Sequence, residues 1–178
     1  MATRRQAREW ALQLLVQFDL NPPYDVDDGL EFFWRQQTEL ELDALEDDAS
    51  RQAPLFTSQD PQVQASLAEM REFAEVRIRG VWESREALDA KLEAYLQNWS
   101  VYRLGTVERT ALRLGVWELT NCPDIPVPIV VNEAIDLAKF FSSTKSGRFV
   151  NGVLDKFAKD LRAPKAEVFT PGEPAAAR

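Results

Sequence analysis

Apolar side chains recur every three or four residues along most of this chain, and proline, hydroxyl-rich turns and acidic aperiodic sequence interrupt them. From Thr3 to Leu20, the residues Ala7, Trp10, Ala11, Leu14, Leu15 and Phe18 fall on one face, which predicts an amphipathic first helix. Asn21-Pro-Pro-Tyr-Asp ends it, because proline lacks the amide donor a helix interior needs. Asp27 and Asp28 then precede Leu30, Phe32, Phe33 and Trp34, a pattern that predicts a second helix reaching about Leu42. Asp43 to Gln64 is acidic, twice broken by proline and without period. It reads as a long surface loop, an insertion whose removal over 44 to 64 is expected to leave the helical fold intact.

Residues 65 to 98 hold no proline and predict two helices meeting near Gly80 to Ser84. Leu67, Met70, Phe73, Ala74 and Arg77 supply the face of one, and Leu88, Leu92, Tyr95 and Leu96 that of the other. From about Leu104, Val107, Ala111 and Leu114 form one stripe and Leu112, Val116 and Leu119 a second, as expected of a central helix buried on a wide face. Asn121-Cys-Pro-Asp-Ile-Pro-Val-Pro halts it. Helix geometry resumes near Ile129, with one row through Val130, Ala134, Leu137 and Phe141 and another through Val131, Ile135 and Ala138. Ser142-Ser-Thr-Lys reads as a turn, and a last helix from about Ser146 sets Val150, Leu154, Phe157 and Leu161 inward. Residues 163–178 carry three prolines and are expected to be a disordered tail. No period-two strand or hairpin signal is present, so the fold class is all-α: a single domain, 1–162, of about seven helices in two small bundles.

Composition narrows the chemistry. Histidine is absent, which excludes imidazole bases, Ser/His and Cys/His nucleophile pairs and HExxH zinc sites. Neither GxGxxG nor a P-loop pattern occurs, so no phosphate cradle, catalytic residue, metal or cofactor is expected. With one cysteine, Cys122, and no apolar run long enough to span a membrane, the chain reads as cytoplasmic, without a membrane partner.

The net charge of −8 is unevenly spread. Residues 1–18 carry a net +2, 19–75 a net −12 and 76–178 a net +2, with a local +5 over 139–165. If the fold joins the two basic ends, an acidic protein could present a basic patch suited to nucleic acid; the alternative is cations that only solvate helix backs. Arg4, Arg5 and Arg8 crowd the start of the first helix, where the backbone dipole disfavours cations and welcomes an anion. Glu9 can pair with Arg5 across one turn. A solvated arginine-rich start or a transit peptide would look the same. Lys145 and Arg148 repeat the arrangement at the last helix, and Phe149 beside them either stacks on an unpaired base or packs into the core toward Val153. Gly152 inside that helix costs about 1 kcal/mol against Ala, for which a close helix crossing is the expected compensation.

Three segments, RRQAREWALQLLVQFDL at 4–20, RLGTVERTALRLGVWEL at 103–119 and DIPVPIVVNEAIDLAKFFSSTKSGRFVNGVLDK at 124–156, resemble the NusB family of transcription antitermination factors. The resemblance implies a seven-helix, non-enzymatic factor that binds boxA RNA of ribosomal RNA leaders together with NusE, the small-subunit ribosomal protein. It further implies loading onto the RNA polymerase antitermination complex with other Nus factors. Carried over by position, the RNA-facing residues are Arg4, Arg5, Arg8, Phe141, Lys145, Arg148 and Phe149, and Glu108 lies on the NusE-facing surface. Gln6 and Val16 stand where the family has arginine and commonly tyrosine, which weakens the implied RNA contact, while Lys145 replaces a frequent acid and strengthens it. Many relatives pair with themselves over this surface, which leaves a homodimer open. Two other readings are an RNA-binding accessory of the kind that precedes RNA cytosine methyltransferases, and a helical protein-interaction module. The chain ends at Arg178 without a cofactor-binding domain, so methyl transfer is not expected.

Overall fold

The computed structural model describes residues 1–47, 54–97 and 99–162. Among these residues the chain forms seven α-helices and one 3-10 turn, with no strand: α1 Arg4–Leu20, α2 Val26–Asp47, α3 Pro61–Glu83, α4 Arg85–Glu93, α5 Thr106–Asn121, α6 Val127–Phe141 and α7 Thr144–Arg162, the 3-10 turn being Val101–Arg103. Helix α5 is the axle. It packs against α1, α3, α4, α6 and α7. Both of its predicted stripes are used, with Ala111, Leu112, Leu114, Val116 and Leu119 all buried.

Helix α1 begins where a side chain can stop it, since Thr3 Oγ1 accepts the Gln6 amide at 3.2 Å. Asp25 Oδ1 takes the same part before α2, accepting from Asp27 N at 2.7 Å. Trp34 carries α2 onto the rest of the molecule. Its ring meets Trp10 of α1 edge-on at 5.4 Å, and its Nε1 donates to Glu75 of α3 at 2.7 Å. Helices α3 and α4 join at Ser84, as the sequence predicts, and α3 can cross α5 closely because a Cβ at Gly80 would enter the Trp117 ring.

The expected loop over 43–64 is shorter and more tightly held than its composition suggests. Asp43–Asp47 continues α2, and Pro61–Gln64 is the first turn of α3, where proline is tolerated because its missing amide would have had no helical partner. Asp60 caps that turn through Gln62 N at 2.8 Å. Between the helices, Glu41 accepts the amides of Leu55 at 2.6 Å and Thr57 at 2.8 Å, and Phe56 lies 5.6 Å from Trp10. Burial pushes the Glu41 carboxyl up, but these amides and the Thr57 hydroxyl more than offset it and hold the group below its ordinary value. Removing 44–64 would therefore strip a helix cap, a carboxylate staple and an aromatic contact, which revises the expectation of a dispensable insertion. The tail at 163–178 lies outside the described residues.

Helix ends differ by a turn or less elsewhere. Helix α6 starts at Val127, with Pro128 in its first turn, and α7 starts at Thr144, so Thr144 and Lys145 are helical where a turn is expected. Leu161 is 48% exposed, not inward. Gly152 overturns the predicted close crossing: a Cβ there would meet nothing within 4 Å. Its helix cost is uncompensated, so Gly152→Ala should raise stability by about 1 kcal/mol in urea melts. A neutral or destabilising result would mean that a neighbour closes over this face.

Candidate functional site

The two basic ends are bridged by α6. Arg4 and Arg5 are exposed in the first turn of α1. Arg5 Nε donates to Glu9 Oε1 at 3.3 Å, the pair its spacing predicts, and Arg5 Nη1 reaches Asp136 Oδ2 of α6 at 3.4 Å. Asp136 also pairs with Lys139 Nζ at 3.5 Å. The Lys139 stem in turn lies against Gly147, where a Cβ would strike it. This series of contacts joins the start of α1, the last turns of α6 and the start of α7. Lys145 and Arg148 stand exposed in the first two turns of α7, and neither has an ion-pair partner among the described residues. Arg5 and Asp136 remain 50% and 43% exposed. Pairs so open to water contribute at most about 1 kcal/mol, so an arriving phosphate can displace the carboxylate.

Arg8 takes a different place from Arg4 and Arg5. It is 3% exposed and donates through Nε to Glu118 Oε1 at 3.1 Å and Oε2 at 3.0 Å. Arg77 shares that carboxylate, its Nε lying 2.5 Å from Oε1, while its Nη1 donates to Phe73 O at 3.0 Å. The guanidinium carbon of Arg77 sits 3.2 Å from the Phe73 ring centroid, and that of Arg8 sits 5.2 Å away. Burial lowers the Arg77 pKa and Arg8 adds to this, while Glu118 works in the opposite direction. The anion called for by the arginine-rich start is therefore, for Arg8, the chain's own Glu118. Arg8 supports the surface from beneath and is withdrawn from any ligand. Cys122 lies at the edge of this cluster, its Sγ 3.9 Å from Arg77 Nη2, and burial pushes its thiol pKa up.

Glu108 occupies the first turn of α5, where the helix dipole favours a carboxylate. The hydroxyls of Ser142 and Ser146 both converge on its Oε1, at 2.8 Å and 2.5 Å. Burial pushes this carboxyl up, but the two serine hydroxyls and its backbone hydrogen bond hold it below its ordinary value. Glu108 thereby fastens the start of α5 to the turn between α6 and α7. Ser143 Oγ accepts the Ser146 amide at 3.2 Å and caps α7.

Both aromatic candidates, Phe141 and Phe149, are half-buried and packed against the core. The exposed aromatic of this region is Phe140, 69% exposed, with its ring edge-on to Phe141 at 4.9 Å. It is not among the residues that the dipole argument or the family resemblance singles out. The available signal is that Phe140 falls on neither apolar row of α6, and a phenylalanine off both rows has no core to enter. Among the described residues no group of three or more His, Cys, Asp or Glu is placed to hold a metal, and no helix is long and apolar enough to cross a membrane.

Comparison with known proteins gives one consistent result. The sequence profile of the NusB family matches residues 5–159. The transcription antitermination protein NusB of Anaeromyxobacter dehalogenans is 39% identical over 162 residues, covering 90% of this chain and 94% of the relative. Among solved structures, T. maritima NusB superposes with a TM-score of 0.68 at 30% identity, over 92% of this chain and 95% of that one. The crystal structure of antitermination factors NusB and NusE in complex with dsRNA matches with a TM-score of 0.61 at 28% identity, over 88% of this chain and 96% of that one.

Proposed function

This chain belongs to the NusB family, and from that premise we propose that it is a non-enzymatic, cytoplasmic transcription antitermination factor that binds boxA-type single-stranded leader RNA of ribosomal RNA operons together with NusE. The NusE–RNA–bound pair then joins RNA polymerase with other Nus factors. The observation that carries the reading is the junction of the basic start of α1 with the basic start of α7 through Arg5, Asp136, Lys139 and Gly147. In this reading Arg4, Arg5, Lys145 and Arg148 contact RNA phosphates, since they are exposed cations at the starts of α1 and α7, which α6 bridges, with Arg4 set beside the Phe73 ring of α3 at 5.6 Å. Arg8, Phe141 and Phe149 shape that surface from below, and Glu108 orders the α5–α7 corner that NusE would meet.

The test is binding of labelled boxA RNA and a scrambled strand, each with and without NusE, over a series of salt concentrations. Preference for boxA that tightens with NusE is expected. Replacing Lys145 and Arg148 together by Ala should flatten the slope of log affinity against log salt by roughly 1.4, because each phosphate neutralised on a single strand contributes about 0.7. Equal, weak binding of both RNAs regardless of NusE would sink the reading. An unchanged slope in a folded double variant would remove these two cations from the interface.

A further inference from the structure

We infer that Phe140 is the platform on which an unpaired RNA base stacks, a role that rests on the RNA-binding reading and goes beyond the residues implied by family resemblance. Exposure is the first reason. Phe140 is 69% exposed, whereas Phe141 and Phe149 are packed against the core and cannot offer a whole ring face. Support is the second. The Phe141 ring abuts Phe140 edge-on, with an interplanar angle of 82°, so the exposed ring is held from one side and its position is set before any base arrives.

Surroundings are the third reason. Arg8 faces Glu133 at 3.8 Å and Arg5 faces Asp136 at 3.4 Å, so α1 and α6 run antiparallel along this seam. Phe140 lies one helical turn beyond Asp136 on the same face of α6, level with the start of α1. That position sets the ring one turn beyond Asp136, the carboxylate that Arg5 and Lys139 both engage. Tyr24 makes the contrast. It is even more exposed, at 106%, but it lies at the opposite end of α1 amid Asp25, Asp27 and Asp28, where a polyanion is repelled. Of the two aromatics, only Phe140 combines an open ring with a basic seam one helical turn away, where Arg5 and Lys139 meet at Asp136 and can hold the backbone of a stacked strand.

The test compares Phe140→Ala, Phe140→Trp and Tyr24→Ala in the full chain. The probes are the boxA single strand, the same strand carrying 2-aminopurine, and a duplex of it with its complement. Phe140→Ala should weaken single-strand binding by about 5- to 150-fold, the range that loss of one stacked base supports. The salt slope should stay unchanged, since no phosphate contact is lost. Quenching of 2-aminopurine should vanish in Phe140→Ala and persist in Phe140→Trp, while Tyr24→Ala and duplex binding stay as in the parent. Unchanged single-strand affinity in Phe140→Ala, with the slope still flattened by Lys145→Ala and Arg148→Ala, would overturn the assignment and leave the RNA reading standing. So would a drop in Tm, which would place Phe140 in packing, or a loss of self-association without loss of RNA. A parent chain with no preference for boxA would overturn both.

Discussion

Glu118→Gln is expected to destabilise the fold by about 3 to 5 kcal/mol, the range for breaking a buried ion pair from one side. Glu118 is 1% exposed and is the carboxylate shared by Arg8 and Arg77, themselves 3% and 4% exposed. Removing its charge leaves two guanidinium groups close together and cut off from water. The amide compensates only in part, because its oxygen can still accept while its NH2 presents donors to a donor and it carries no charge. Such a loss is a large share of a stability that for a domain this size is about 5 to 15 kcal/mol. The chain should therefore unfold at much lower urea with little change in m-value. A companion variant that replaces Arg8, Arg77 and Glu118 together by apolar residues should recover much of the loss, since what is costly is the unpaired charge and not the absence of the pair. A change below about 1 kcal/mol in Glu118→Gln would mean that water reaches the cluster.

The second large effect lies at the other end of the same helix pair. Arg113 of α5 donates through Nε and Nη2 to Asp89 of α4, both at 2.7 Å, and through Nη1 to Asp19 of α1 at 2.9 Å. Arg109 also engages Asp19. Burial lowers the Arg113 pKa, but its bonds to Asp89 and Asp19 outweigh that and raise it. Arg113→Met keeps most of the volume, leaves the buried Asp89 carboxylate without its cation and leaves the half-buried Asp19 with Arg109 alone, for an expected loss of about 3 to 5 kcal/mol near neutral pH. Burial pushes the Asp19 carboxyl up, yet Arg109 and Arg113 together hold its pKa below the ordinary 3.8. A depressed carboxylate adds stability that is present above its unfolded pKa and lost as pH falls through its folded one. In Arg113→Met, Asp19 loses one of the two cations that hold its pKa down, so its protonation relieves the variant before it harms the parent. The gap between parent and variant in urea melts should therefore narrow from pH 7 toward about pH 3.5. A gap that stays constant with pH would mean that lost packing, not unpaired charge, sets the cost.

Together the two clusters clamp α1 to α5 at both ends, and neither was legible beforehand. Arg8 and Glu118 are 110 residues apart, and Asp19 and Arg113 are 94 apart. Nothing local distinguishes Arg8 from Arg4 and Arg5, which stay in solvent. The same holds for Phe140 and Phe141, neighbours in sequence of which one is packed and the other open. Helical period marks Phe141 as inward, but what lies beside Phe140 depends on where the start of α1 is packed.

The sequence by itself determined the seven helices, most of their ends, the central place of α5 and the family, because period, capping and proline act within a few residues of where they stand. It also determined that both ends of the chain are basic. Tertiary structure decided which cations face water and which face a buried carboxylate, which phenylalanine is open, and that Gly152 has no neighbour to justify it. It also decided that the acidic stretch is stapled by Glu41. The physical reason is range: helix formation is settled among residues three or four apart, whereas the partner of a charge or a ring is chosen by packing between distant elements.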